Sequence, residues 1–140
     1  MSRHLFPVAA LLLLTACAPQ RLPDGWYTTD GTGQDAAIGN PIVTCRDFAA
    51  LQLDSLPSED GSFVYIITGT LRPEKHATWA DATEAAVGTC IVFLHEGRTI
   101  AAPCVNMRNE RGSFSISSPN ISGDADRMRE IFHSLEAQMR

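Results

Sequence analysis

Residues 83–103 read TEAAVGTCIVFLHEGRTIAAP, and they hold both punctuation marks on which the fold turns. Val87-Gly88 ends a helix, because glycine takes the left-handed conformation of a helix C-cap at no steric cost. Beyond it, Cys90-Ile91-Val92-Phe93-Leu94 and Thr99-Ile100-Ala101-Ala102 flank Glu96-Gly97, which predicts an antiparallel hairpin.

Working upstream, the helix that Gly88 closes runs back over residues 72–87. Pro73 suits its first turn, where a missing N–H is no loss, and Glu74 suits the positive end of the helix dipole. Trp79, Ala80, Thr83, Ala86 and Val87 mark its packing face. Before it, Phe63-Val64-Tyr65-Ile66-Ile67-Thr68 is a strand of β-branched and aromatic residues. Ala49, Leu51 and Leu53 alternate with Ala50, Gln52 and Asp54 in another strand. Turn formers at 57–62, with Asp60-Gly61, join the two.

Downstream, Phe114 and Ile116 alternate with Ser113, Ser115 and Ser117 in a fifth strand. A second helix spans residues 123–138, with Ser122 as its N-cap and Asp124 and Asp126 in its first turn. Ala125, Met128, Phe132, Leu135 and Met139 recur along it at spacings of three and four, a stripe wide enough to cover a sheet face. The order β-β-α-β-β-β-α implies an α+β fold, a single largely antiparallel sheet with two helices packed on one face.

The chain has 140 residues, 11 Lys+Arg against 16 Asp+Glu, and a formal charge of −5. Its only lysine is Lys75 and its arginines are scattered. Nucleic acid is therefore not an expected partner, since binding it requires clustered cations to displace phosphate counterions. Residues 1–16 read as a secretory signal: Arg3 is followed by an apolar run from Leu5 to Ala16, short of the about 20 residues that span a bilayer. Leu14-Thr15-Ala16-Cys17 has the form of a bacterial lipobox, which predicts that Cys17 is acylated on sulfur and opens the mature chain. Ala18 in place of Asp favours the outer membrane of a Gram-negative cell, with the protein facing the periplasm. Residues 17–41, with Pro19, Pro23, Pro41 and several glycines, read as the lipidated cysteine and a flexible tether interrupted by Trp26-Tyr27. Residues 42–140 form the domain.

The order of these signals resembles the head subdomain of the first periplasmic domain of SecD/SecDF. The resemblance lies in Thr83, Val87-Gly88, the strand 91–94, Glu96-Gly97 and Ala102-Pro103, followed by Phe114-Ser115-Ile116-Ser117 and the helix over 122–135. It extends over roughly residues 41–138. It implies a surface that contacts polypeptide and an accessory role in protein export. The membrane-spanning helices that couple proton flow to export in that family have no counterpart here, so the motor does not carry over. An inhibitor or immunity-type lipoprotein that blocks an enzyme or toxin is a rival reading, and a structural envelope component is another. Met107, near the end of the second hairpin, is a candidate contact residue.

Beyond Cys17, three cysteines remain in an oxidising compartment, so one disulfide and one free thiol are expected. Cys90 and Cys104 are symmetric about Gly97. A three-residue turn there sets them opposite each other, whereas a two-residue turn shifts the register and parts them. Pairing of 90 with 104 leaves Cys45 free, and Cys45 with either partner is the alternative. His76, His95 and His133 have no second ligand at chelating spacing, so no metal or other cofactor is expected. No nucleophile elbow, phosphate loop or paired-cysteine redox motif occurs, and no catalytic residue is assigned.

Overall fold

The computed structural model describes residues 21–31 and 36–140. Among them are strands β1 (Gly25–Thr29), β2 (Ile38–Thr44), β3 (Phe48–Pro57), β4 (Phe63–Leu71), β5 (Val92–His95), β6 (Arg98–Ala101) and β7 (Ser113–Ile116), with helices α1 (His76–Ala85) and α2 (Ala125–Gln138). The fold is α+β and antiparallel, but the strands make two sheets rather than one: β2-β1-β5-β6 and β3-β4-β7. The first strand accounts for the difference. β1 lies within the stretch read as tether, and it pairs on one side with β2 and on the other with β5. It thereby draws the 92–101 hairpin into a sheet of its own. The folded body begins near Asp24, not at residue 42.

Burial explains why β1 joins. Trp26 and Tyr27 are both fully buried, and two large aromatic side chains contribute several kcal/mol when removed from water. Pro41 falls in β2 without harm, because β2 is an edge strand and its register with β1 is broken there.

The β5–β6 hairpin has the two-residue turn. His95 faces Arg98, and Glu96 and Gly97 have φ of 51° and 76°, the positive values of a turn whose twist matches its strands. A bulge then shifts the register between Phe93 and Leu94, so that Phe93 faces Ala101. That one-residue correction brings Cys90 opposite Cys104 after all.

Both helices are shorter than their patterns suggest. A 3-10 turn over Pro73–Lys75 precedes α1, and Gly88 follows it with φ of 86°. In α2 the cap is Asp124, whose carboxylate accepts the Arg127 N–H at 3.0 Å. Ser122 is occupied elsewhere: its hydroxyl accepts the Ser118 N–H and its carbonyl the Tyr65 N–H.

One core lies between the inner faces of the two sheets and the two helices. Met128, Ile131 and Leu135 of α2 pack there with Phe48, Ile67 and Ile116. Trp26, Phe48, Trp79, Phe93 and Phe114 meet in an aromatic cluster whose ring centroids are 4.6–6.3 Å apart. Phe114 lies over Gly69 of the adjacent strand, where any Cβ would strike its ring. Tyr27, Val92 and Leu94 form a smaller buried cluster of their own. No helix among the described residues is long and apolar enough to cross a membrane.

Candidate functional site

The aromatic cluster is not sealed. Between α1, the segment 103–107 and the edge strand β7 lies a slot of about 230 Å³, with Trp26, Trp79 and Phe114 in its floor. Met107 stands at its rim, 74% exposed. Thr83 and Ser115 supply polar walls.

Local chemistry holds the slot in shape. Arg108 donates to Asp81 at 2.9 Å, Glu84 at 2.7 Å and Glu110 at 3.1 Å, and these bonds raise its already high pKa further. The arginine thus ties residue 108 to the exposed side of α1. Next to it, the Asn109 N–H donates to the Thr83 hydroxyl at 2.9 Å. Asn109 Nδ2 and Trp79 Nε1 both donate to the Ser113 carbonyl, at 2.9 and 3.2 Å. On the other wall, Gly88 and Val105 are joined by a backbone bond of 3.0 Å, and Cys90 and Cys104 are disulfide-bonded. Closing a loop of that length contributes about 3 kcal/mol in the chain-entropy model.

Two features stand out around the slot. β7 pairs with β4 on one side only, and the Ser113 carbonyl points away from β4 toward Trp79 and Asn109. The backbone of Ser115, two residues on, faces the same unpaired edge. Trp26 Nε1 is buried and has no hydrogen-bond partner among the described residues. An orphaned buried donor costs about 1–3 kcal/mol until something accepts from it. The slot is smaller than the about 300–1,000 Å³ of small-molecule sites, so it suits one or two apolar side chains better than a cofactor. Alongside it, Gln52, Thr68, Thr70, Ser113 and Ser115 line an open, shallow face of the β3-β4-β7 sheet.

A second polar centre lies where β1 begins. Asp24 accepts from His95 Nδ1 at 2.7 Å, Gln138 Nε2 at 2.9 Å and the Glu96 N–H at 2.9 Å. Burial alone would raise its pKa, but these three bonds and the His95 charge hold the carboxyl below its ordinary range. An aspartate orienting a histidine supplies two of the three members of a catalytic triad. Here His95 Nε2 faces the Glu96 carboxylate at 3.9 Å, and no hydroxyl or thiol among the described residues is hydrogen-bonded to it. The centre works as a clasp joining the start of β1, the β5–β6 turn and the end of α2.

Of the residues singled out in the sequence, Met107, Cys90 and Cys104 lie at or beside the slot, and Cys45 does not. Cys45 is buried and free, and burial, reinforced by Asp24 and Asp47, pushes its thiol up to about 12. It is a protonated core residue at neutral pH. Cys17 lies outside the described residues. His76, His95 and His133 stand in separate places, bonded to the Leu71 carbonyl, Asp24 and Glu136 respectively. Among the described residues no three His, Cys, Asp or Glu side chains converge to hold a metal.

No family model and no curated protein matches this chain. Solved structures do. A structure of SecDF, described as a membrane component that enhances protein export, matches with a TM-score of 0.52 at 20% identity, over 69% of this chain and 42% of that one. SecDF in its super-membrane-facing form matches with a TM-score of 0.53, also at 20% identity, over 69% of this chain and 13% of that one. The chain thus corresponds to less than half of the first and to about an eighth of the second. The likeness is one of fold.

Proposed function

We propose that this SecDF-like fold serves as a polypeptide-binding module, lipid-anchored through Cys17 in the cell envelope and facing the periplasm. It acts by binding, without catalysis or cofactor, and its partners are extended protein segments passing through the envelope. The observation that carries the reading is the slot: an aromatic floor of Trp26, Trp79 and Phe114 lies beside the open edge of β7. An extended segment placed along that edge sets alternate side chains toward the slot and offers carbonyls to unpaired donors. Such recognition is indifferent to sequence apart from apolar character, as a module receiving many exported chains requires. The export role described for SecDF makes accessory work in export the natural setting.

The test is cross-linking in intact cells from a photoreactive residue in place of Met107. Many exported polypeptides trapped at that position are the expected result. One folded partner at fixed stoichiometry would overturn the export reading in favour of an inhibitor or immunity-type lipoprotein. An absence of any protein adduct would favour a structural envelope component. The anchor is tested separately by Cys17→Ser, which should release the protein from the membrane fraction.

A further inference from the structure

The end of the body where the chain enters from Cys17 also carries four exposed arginines, and we propose that this end docks on an anionic phospholipid surface. The inference rests on the reading of Cys17 as the lipidated residue. Asp24 is buried and clasped by His95, Glu96 and Gln138, so seven Cα-to-Cα steps (24 − 17) link it to the anchor. Fully extended, they reach about 25 Å. A body of about 100 residues has a radius of gyration of about 13 Å, hence a width of about 34 Å. A leash shorter than the body keeps the Asp24 end turned toward the bilayer.

That end carries Arg21, Arg46, Arg98 and Arg140, all exposed. Arg46 and Arg140 border the hollow beside Asp24 and Cys45, Arg21 runs against Gly97, and Arg98 follows that turn directly. Among the described residues no side-chain carboxylate lies within 4.0 Å of any of the four; Arg72, Arg111 and Arg127 are likewise without one, whereas Lys75, Arg108 and Arg129 are paired. Of the acids nearby, Asp24 is bonded to His95 and Asp47 lies 4.0 Å from Lys75, while the Glu96 carboxylate is exposed. Leu22, 48% exposed, lies in the same region.

The far end has the opposite character. α2 runs from Asp124, beside the β3–β4 hairpin, to Gln138 at the clasp, about 21 Å away. The first turns of α2 hold Asp124 and Asp126 against Arg127 and Arg129, and the β3–β4 turn adds Glu59 and Asp60. The protein as a whole is negative, so an anionic bilayer repels the body and attracts this one end. The outcome is an orientation, with the β3–β4 hairpin tip held clear of the lipid.

Arginine footprinting of the lipidated full chain tests this. The protein is reconstituted into phosphatidylcholine vesicles, with or without phosphatidylglycerol, and labelled with phenylglyoxal; peptide masses report each site and the acyl group on Cys17. On phosphatidylglycerol, Arg21, Arg46, Arg98 and Arg140 should label about fivefold more slowly than on phosphatidylcholine alone, with the difference lost in high salt. Arg127 and Arg129, in the first turns of α2, should not change. Intact acylation with uniform labelling on both vesicles overturns the proposal. Absent acylation refutes the anchor alone if the four arginines are still protected on phosphatidylglycerol, and refutes both if they are not.

Discussion

Asp24 and His95, 71 residues apart in the chain, share a buried bond of 2.7 Å that closes the end of the body opposite the β3–β4 hairpin. The carboxylate takes two further bonds there, from Gln138 and from the backbone of Glu96. Asp24→Ala would leave the buried His95 Nδ1 and the Glu96 N–H without their acceptor, while Gln138 Nε2 keeps its bonds to Ser134. Removing one partner from such a centre costs about 3 kcal/mol. Chemical denaturation should report that loss, and limited proteolysis should find new cleavage just before β1, where the chain is no longer held.

The same centre sets the acid limit of the fold. Because the folded Asp24 pKa lies below its unfolded value, the stabilisation it provides is complete above about pH 4 and is lost as pH falls through the lower folded value. Asp24→Asn keeps the shape of the side chain but cannot titrate. Its stability should fall less than that of the parent between about pH 4 and pH 2, as read from urea midpoints across that range.

Cys45 works in the opposite direction. Its folded pKa, pushed up to about 12, lies above that of an unfolded thiol, so the folded state retains a proton that the unfolded state releases. Stability should therefore decline as pH rises above about 9, at no more than about 1.4 kcal/mol per unit. Cys45→Ala lowers stability at every pH through the cavity it leaves, but it should flatten that alkaline slope. An unchanged slope would mean that the thiol does not titrate in this range.

How far the sequence reveals these features depends on chain distance. The β3–β4 and β5–β6 hairpins, β7 and both helices are legible because each is announced by its own period and its own turn residues. β1 is not: Gly-Trp-Tyr-Thr-Thr is too short to show a period, it follows Pro23, and its partner β5 lies more than sixty residues downstream. Two adjacent large aromatics in a Pro/Gly-rich stretch were the available signal, since such residues rarely stay in water. The slot was half visible. Trp79 and Thr83 mark a helix face and Met107 an exposed apolar residue, but Trp26 and Phe114 reach the same place only through the sheets. The clasp had no local signal, because Asp24, His95 and Gln138 meet by topology alone.

Glu96 occupies a backbone conformation that suits glycine or asparagine, with φ of 51° ahead of Gly97 at 76°. Its side chain is exposed, and only its N–H is bound by Asp24. Glu96→Asn gives the Asn-Gly pair preferred at such turns without disturbing that bond, and should raise stability by up to about 1 kcal/mol. Thermal melting checks the sign. A decrease would show that the Glu96 carboxylate facing His95 matters more than the turn.

The slot separates binding from folding at two residues. Met107 is mostly exposed, so Met107→Ser should change stability by no more than about 0.5 kcal/mol, yet it removes the apolar rim. Trp26→Phe retains an aromatic ring in the cluster and deletes the orphaned N–H. It loses some buried area but relieves an unpaired donor, so its net effect on folding should be small. If a bound segment places a carbonyl on that N–H, Trp26→Phe should weaken binding of an extended apolar peptide about tenfold, the equivalent of one hydrogen bond. Met107→Ser should weaken it by a similar factor through lost contact area. Fluorescence anisotropy of a labelled peptide measures both, with denaturation midpoints as the control for folding. If Met107→Ser weakens binding and Trp26→Phe does not, the segment lies across the rim without reaching the floor. If neither does, polypeptide recognition does not take place in this slot.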